Sequence, residues 1–114
     1  MSMTVQRLTA DVAVAGQLAP ESMADVAAAG FRSVINNRPD FEGGPSQPTS
    51  AMIEQAALAA GLSYAFLPVA SGYQSPEEIA RFAQLLGSMP RPVLAFCRSG
   101  ARSGRLVQAA LASG

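Results

Sequence analysis

The sequence predicts one α/β domain, residues 1–114, in which a mostly parallel sheet lies between helices on both faces, a three-layer arrangement. Its 114 residues are 49% hydrophobic, which suits one core that buries roughly two thirds of the unfolded surface. After an initial hairpin, short apolar runs alternate with amphipathic stretches. This alternation is typical of successive βαβ units. The sequence shows no internal repeat and no sign of a second domain.

The first part of the chain predicts a hairpin, a helix and a buried strand. In chain order these are a strand at 5–8, its hairpin partner at 12–16, a helix at 20–30 and a strand at 32–37. Pro20 suits the first helical turn, Glu21 lies near the positive end of the helix dipole, and Gly30 is a typical stop. The next segment, "RPDFEGGPSQP" at 38–48, contains three prolines and two glycines. It predicts a long loop, which is often functional or mobile, and its role as a lid is left open.

The second part of the chain continues the alternation. The predicted elements are a helix at 49–61, a strand at 62–69, a helix at 75–89, a strand at 91–96 and a helix at 103–113. Thr49 or Ser50 is the expected cap of the first of these helices. Ser75 and Glu78 form the capping-box pattern of the second, with a proline between them at the first helical position. "RPVLAF" at 91–96 is a continuous apolar run, which indicates a fully buried strand.

Charge and cysteine content exclude several classes of function. The net charge is zero, and the eight positive residues are all arginine, so a general nucleic-acid-binding surface is not expected. One cysteine and no histidine allow neither an internal disulfide nor a Cys/His metal site. A lone reduced thiol suits the cytoplasm. No apolar run reaches the roughly 18 residues of a membrane span, and no signal-peptide pattern is present. We therefore expect a cytoplasmic protein without a membrane partner.

The segment "CRSGARSGR" at 97–105 is the strongest functional signal. Cys97 follows the last predicted strand, and ligands of open α/β sheets bind beyond the carboxyl ends of strands. A glycine turn into a helix leaves backbone N–H groups free to bind an anion. The same donors, with the nearby guanidinium groups, lower the pKa of a thiol. Although a free cysteine in a core strand is often inert, this combination predicts that Cys97 is a nucleophile.

The residues around Cys97 are the predicted binding site. Arg102 offers a planar fork to two oxygens of an anion. Gly100 fits a close turn, Ser103 is a candidate helix cap or hydroxyl donor, and Arg98 either contacts the anion or points to solvent. The catalytic candidates are Cys97 and Arg102. The substrate-binding candidates are Arg98, Ser99, Gly100, Ala101 and Ser103.

Three stretches of the chain, "AVAGQLAPESMADVAAAGFRSVINNRPD", "LPVASG" and "FCRSGARS", resemble the phosphatase-like domain of the beta-lactamase-hydrolase-like family. The resemblance implies the topology of tyrosine and dual-specificity phosphatases. Domains of that family occur alone or joined to a persulfide dioxygenase or a disulfide oxidoreductase. That context implies sulfide and persulfide metabolism, with one of those enzymes as a partner, and it implies no metal or organic cofactor.

The chain departs from such phosphatases in ways that favour sulfur chemistry. Four residues separate Cys97 from Arg102, whereas phosphatases of this fold generally have five, and the shorter loop is similar to that of rhodanese sulfurtransferases. Phe96 stands where those phosphatases commonly have histidine, which weakens the phosphatase alternative without strengthening any other. "LPVASGYQSPEE" at 67–78 lacks the usual aspartate general acid. Asp40 is the candidate substitute if loop 38–48 folds over the site, although a turn-forming role also explains it.

We therefore expect a cysteine-dependent sulfurtransferase. The Cys97 thiolate would take the outer sulfur of thiosulfate or a persulfide, and an acceptor thiol would remove it. Arg98 and Arg102, with the amides of 99–103, would hold the anionic donor. Two alternatives remain open: a phosphatase that hydrolyses phosphate monoesters with the same cysteine, and a non-catalytic anion-binding partner module.

Overall fold

A computed structural model describes residues 4–113, and these form nine elements. The strands are β1 (Val5–Arg7), β2 (Val12–Ala15), β3 (Ser33–Asn36), β4 (Ser63–Phe66) and β5 (Val93–Phe96), and the helices are α1 (Ser22–Ala28), α2 (Ser50–Ala59), α3 (Pro76–Ser88) and α4 (Ala101–Ser113). The strand order is β1-β2-β5-β3-β4, with β1 antiparallel and the other pairs parallel. The predicted fold class is confirmed. None of the helices in residues 4–113 is long and apolar enough to cross a membrane.

The last strand, β5, lies in the middle of the sheet, between β2 and β3. Its terminal residue Phe96 is in register with Ala15 of β2 and Asn36 of β3. The carboxyl ends of these parallel strands therefore meet at one edge. Whatever follows Phe96 lies between the segments that follow Ala15 and Asn36, and this is where an open α/β sheet binds its ligands.

Alternate side chains of β5 pack into two cores, one on each face of the sheet. Leu94 and Phe96 belong to the core that includes Met23 of α1 and Ile53 of α2. The other two residues of β5, Val93 and Ala95, pack in the core that includes residues of α3 and α4. Because both faces of this strand are covered, all four positions are fully buried, as the continuous apolar run predicts.

Side-chain caps define two of the helix starts as predicted. The Ser75 hydroxyl accepts from the Glu78 N–H at 3.1 Å, and the Glu78 carboxylate accepts from the Ser75 N–H at 2.8 Å. Thr49, rather than Ser50, caps α2 through a hydrogen bond from Met52 N–H. A cap of this kind stabilises a helix by about 1 kcal/mol.

Several boundaries differ from the sequence-based prediction by one to three residues, and two of these differences lie next to the site. β4 ends at Phe66, although Leu67 and Val69 still donate backbone hydrogen bonds to the segment after β3. α4 begins at Ala101, two residues earlier than predicted. Gly100 has a φ of +93°, a conformation that glycine adopts without strain, so the chain turns directly into the helix. Ser103 therefore lies inside the first turn of α4, and the prediction that it caps the helix is wrong.

Candidate functional site

The segment after β5 is tied to the end of β2. The Cys97 N–H donates to the Ala15 carbonyl at 3.3 Å, and the Gln17 N–H donates to the Arg98 carbonyl at 3.1 Å. Gly16 permits this approach, since a Cβ atom there would lie only 3.1 Å from the Arg98 oxygen. These contacts give the loop that begins at Cys97 a fixed path across the sheet edge.

The Cys97 sulfur turns toward its own loop. The residue is 1% exposed, and its Sγ accepts a hydrogen bond from the Gly100 N–H at 3.1 Å. Cys97 also lines a cavity that opens at the surface. A buried sulfur that receives an amide hydrogen bond and faces a cavity has the placement that a nucleophile requires.

Burial raises the pKa of the Cys97 thiol, but hydrogen bonding from Ser103 and from the amides of Ser99 and Gly100 outweighs burial and lowers it below its ordinary value. The Ser103 hydroxyl has only one proton, and it donates to Asn37 Oδ1 at 2.8 Å. That hydroxyl can therefore donate to the Cys97 sulfur only if its hydrogen bond to Asn37 Oδ1 is broken. The peptide amides are the donors that have no such competition, and they carry most of the stabilisation of the thiolate.

Arg102 is almost fully buried, at 4% exposure, and most of its guanidinium is occupied. Its Nη1 donates to the carbonyls of Val69 at 3.0 Å and Asn37 at 3.5 Å. Its Nη2 donates to Glu42 Oε1 at 3.0 Å. The buried Nε–H has no hydrogen-bond partner among the residues that the structure describes. Arg102 also lines the cavity.

Asn37, which the sequence alone did not single out, connects three segments behind Cys97. It is fully buried. Its Nδ2 donates to the Leu67 carbonyl at 3.0 Å, its Oδ1 accepts from Ser103, and its backbone carbonyl accepts from the Val69 N–H. The available signal was a polar residue directly after a buried strand, because such a residue must find partners inside the protein.

The loop 38–48 forms one wall of the site. Glu42 Oε1 accepts from Arg38 Nε at 2.9 Å and from Arg102 Nη2 at 3.0 Å. Burial raises the pKa of the Glu42 carboxyl, but hydrogen bonds from these two arginines and their charges outweigh burial and lower the pKa below its ordinary value. Glu42 is therefore a carboxylate at neutral pH. It links the loop to the helix that follows Cys97.

The Gln47 side chain forms two hydrogen bonds within the same loop. Its Oε1 accepts from the Gly43 N–H at 2.7 Å, and its Nε2 donates to the Pro39 carbonyl at 2.9 Å. These bonds span most of the loop that the sequence left without regular structure. The loop is consequently held in one arrangement, with Glu42 and Gly43 facing the cavity.

The cavity has a volume of about 670 Å³ and is lined mainly by polar residues. Its lining residues are Arg38, Glu42, Gly43, Ser71, Cys97, Arg98, Ser99, Ala101, Arg102 and Arg105. Its four arginines outnumber its one glutamate, so the cavity carries net positive charge, which favours anions over cations. Among residues 4–113, no three histidine, cysteine or acidic side chains form a group that could hold a metal ion.

Residues 4–113 match the family described as beta-lactamase hydrolase-like protein, phosphatase-like domain. The chain belongs to this family. A beta-lactamase hydrolase-like protein of Agrobacterium fabrum is 36% identical over 101 residues, which are 89% of this chain and 23% of that protein. A protein of the same name from Xylella fastidiosa is 36% identical over 92 residues, 81% of this chain and 21% of that protein. The phosphatase-like domain thus spans less than a quarter of these relatives.

Solved structures show the same fold. A candidate phosphatase of Neisseria meningitidis is 33% identical, with a TM-score of 0.85, and the match covers 93% of this chain and 75% of that one. Tk-PTP in its active form is 21% identical, with a TM-score of 0.72, and the match covers 93% of this chain and 70% of that one. The Pseudomonas aeruginosa protein TpbA, solved with phosphotyrosine, is 16% identical, with a TM-score of 0.68; the match covers 96% of this chain and 70% of that one. The last two show the fold alone.

The comparisons confirm the family resemblance, and they favour the phosphatase alternative over the predicted sulfur transfer. The matching structures include phosphatases and candidate phosphatases. The names of these relatives refer neither to sulfur transfer nor to a rhodanese. The sulfurtransferase prediction therefore has no support from the relatives of this phosphatase-like domain.

The predicted site residues occupy different positions in the phosphatase-like domain. Gly100 and Ser103 are not among the residues that line the cavity; Gly100 donates to the Cys97 sulfur, and Ser103 donates to Asn37. The cavity is lined by the other five predicted residues, which are Cys97, Arg98, Ser99, Ala101 and Arg102. Asp40, the candidate general acid, is not among the residues that line the cavity. Its Oδ1 accepts from the Ser50 N–H at 2.8 Å, at the start of α2. Negative charge at that position stabilises a helix N-terminus, so a structural role accounts for Asp40.

Proposed function

We propose that this domain is a cysteine-dependent phosphatase that hydrolyses phosphate monoesters. One observation carries the proposal: the Cys97 sulfur, with a lowered pKa, faces a cavity lined by four arginines. The buried, unpartnered Nε of Arg102 supports it, because a phosphoryl oxygen is a strong acceptor for a guanidinium N–H.

The first step is nucleophilic attack by the Cys97 thiolate on phosphorus. A sulfur–phosphorus bond forms, and the bond from phosphorus to the ester oxygen breaks. The departing oxygen takes a proton from water, since Glu42 is ionised and Asp40 is hydrogen-bonded to the Ser50 N–H at the start of α2. Arg102 Nε and the loop amides hold the phosphoryl oxygens, whose charge increases in the transition state.

The second step is hydrolysis of the phosphocysteine. Water attacks phosphorus, the phosphorus–sulfur bond breaks, and the thiolate returns to its amide donors. The proton lost by the water passes to solvent or to the released phosphate. The overall change is a phosphate monoester and water to an alcohol or phenol and inorganic phosphate.

Hydrolysis of an aryl phosphate by the purified chain tests the proposal. We expect release of inorganic phosphate and, on rapid acid quench, a phosphoryl group on Cys97 in the intact mass. Cys97→Ser is the matched control, and it should show neither. The proposal would be overturned if the wild-type chain hydrolysed no aryl phosphate, or if Cys97→Ser hydrolysed it as fast as wild type.

Sulfur transfer is the second candidate, and the spacing of the loop favours it. Only four residues separate Cys97 from Arg102, which narrows the ring of amides around the sulfur. Among residues 4–113, the only carboxyl group that lines the cavity is that of Glu42, which is ionised at neutral pH, and sulfite leaves thiosulfate without a general acid. Incubation with thiosulfate should then add one sulfur atom to Cys97, and the absence of that adduct would exclude this candidate.

The location of the protein and its partner are not tested by these comparisons. A cytoplasmic location and a dioxygenase or oxidoreductase partner stay predictions.

A further inference from the structure

Two of the four arginines in the cavity have no carboxylate partner. Arg38 and Arg102 share the carboxylate of Glu42, whereas Arg98 and Arg105 form no ion pair with any residue among 4–113. Both unpaired side chains are exposed, and both line the same cavity as Cys97. The outer part of this site therefore has an excess of positive charge that the protein does not neutralise.

Arg105 is held in place. It lies three residues after Arg102 on α4, which places the two side chains on one side of the helix, about 4.5 Å apart along its axis. Its Nη2 donates to the Ser71 carbonyl at 2.8 Å, and its Nε donates to Gln74 Oε1 at 3.4 Å. Both acceptors are neutral, so they orient the guanidinium without cancelling its charge. These two hydrogen bonds fix the direction of the Arg105 side chain, which a role in surface solvation alone does not require.

We propose that Arg98 and Arg105 form a second anionic subsite, and that the substrate carries a second acidic group close to the phosphate that reacts. This inference rests on the proposed function, because it names the substrate class of the same site. The inner group binds beside Cys97 and Arg102. The outer group, a phosphate or a carboxylate, binds the two guanidinium groups at the mouth of the cavity, where charge-assisted hydrogen bonds strengthen binding.

A binding experiment that needs no turnover tests the subsite. In the Cys97→Ser chain, the affinities for inorganic phosphate and for pyrophosphate are measured by titration calorimetry. We expect pyrophosphate to bind about tenfold more tightly or better. Adding Arg98→Gln and Arg105→Gln together should reduce that preference to about threefold or less. The double variant Arg32→Gln, Arg81→Gln, which removes two exposed arginines outside the cavity, is the control for net charge and should leave the preference unchanged.

A second experiment separates this inference from the proposed phosphatase activity. Hydrolysis of phenyl phosphate is compared with that of 4-carboxyphenyl phosphate, using wild type and the Arg98→Gln, Arg105→Gln double variant. We expect a lower KM for the carboxylated substrate in wild type only. If both substrates are hydrolysed with equal KM and pyrophosphate has no advantage in binding, the subsite is refuted while the phosphatase proposal stands. If neither substrate is hydrolysed but pyrophosphate keeps its arginine-dependent advantage, the phosphatase proposal fails while the subsite stands.

Discussion

Arg102 Nη2 and Glu42 Oε1 lie 3.0 Å apart, joining residues 60 positions apart in the chain. The contact connects the helix after Cys97 to the loop after β3. Arg102 is 5% exposed and Glu42 28% exposed at their side chains, so the pair is partly shielded from water. Glu42 thus neutralises Arg102 in the absence of a ligand, and it also competes with an incoming anion for the same guanidinium.

Glu42→Gln should make the protein less stable and the anion site stronger. Removing the carboxylate leaves Arg102 buried without its counter-charge, which we expect to lower the free energy of unfolding by about 1–2 kcal/mol, between the values for exposed and buried pairs. The loss of a nearby negative charge should raise the affinity for phosphate. Urea unfolding and calorimetry measure the two effects. Glu54→Gln, at an exposed position of α2, is the control, and equal behaviour of the two variants would contradict the prediction.

The stability that Glu42 contributes should depend on pH in a defined direction. The arginines lower its folded-state pKa, so its stabilising effect is fully present above the unfolded-state pKa near 4.3. The effect is lost as the pH falls through the lower folded-state value. The difference in unfolding free energy between wild type and Glu42→Gln should therefore be constant at neutral pH and shrink in acid. A difference that grows in acid would mean that the carboxyl pKa is raised.

The Cys97 thiol should ionise below the ordinary value of about 8.5, because amide and hydroxyl donors lower its pKa. Thiolate absorbance in the ultraviolet, followed against pH with Cys97→Ser as the blank, measures the midpoint. Ser103→Ala removes only the hydroxyl, whose proton is shared with Asn37, and leaves the amide donors in place, so it should raise the midpoint only slightly and leave it below that of a free thiol. The prediction fails if the wild-type midpoint equals that of a free thiol, or if Ser103→Ala lowers it.

Turnover should depend steeply on the leaving group, since no protonated carboxyl group among the described residues lines the cavity. We expect aryl phosphates with acidic phenols to react much faster than alkyl phosphates. Asp40→Asn should leave that dependence unchanged, because Asp40 accepts a hydrogen bond from the Ser50 N–H at the start of α2 and does not line the cavity. It should lower stability by roughly 0.5 kcal/mol through the lost charge at the helix N-terminus. A selective loss of activity toward poor leaving groups in Asp40→Asn would instead identify Asp40 as the general acid.

Asn37→Ala should destabilise the protein by about 2–3 kcal/mol, because it leaves the partly buried Leu67 carbonyl and the buried Ser103 hydroxyl without their partner. The double variant with Ser103→Ala should be less destabilised than the sum of the single variants, since both remove the same 2.8 Å hydrogen bond. Thermal unfolding of the four proteins measures this coupling. Additive effects would show that the bond contributes nothing of its own.

Local sequence patterns predicted most of the fold. The alternation of apolar runs and amphipathic stretches, the Ser75–Glu78 capping box and the glycine before α4 depend on neighbours within a few residues. The same is true of Cys97, since its place at the end of a buried strand and before a glycine turn was sufficient to predict its amide environment. These features are encoded by short stretches of chain, so they can be recognised without knowing the fold.

Asp40 and Glu42 show where sequence reasoning alone was not sufficient. They are two residues apart in one loop, and the sequence offered Asp40, rather than Glu42, as a candidate for a role at the site, beside a turn-forming role. Between them, Phe41 has a φ of +64°, an uncommon conformation for a residue with a side chain. The chain reverses there, so that Asp40 meets the start of α2 while Glu42 meets Arg102. Only the complete loop, closed by Gln47, determines which carboxylate faces the cavity.

By itself, the sequence determined the α/β class, the order of the elements and a cysteine within a glycine turn between a strand and a helix, because these follow from short-range periodicity, capping and backbone preference. The tertiary structure alone decided which distant groups surround that cysteine. β5 pairs with β2 and β3, and this brings Asn37, Arg38 and Glu42 beside a helix that lies about 60 residues later. The physical reason is that side chains which meet at a sheet edge are selected by strand pairing, which no local pattern specifies.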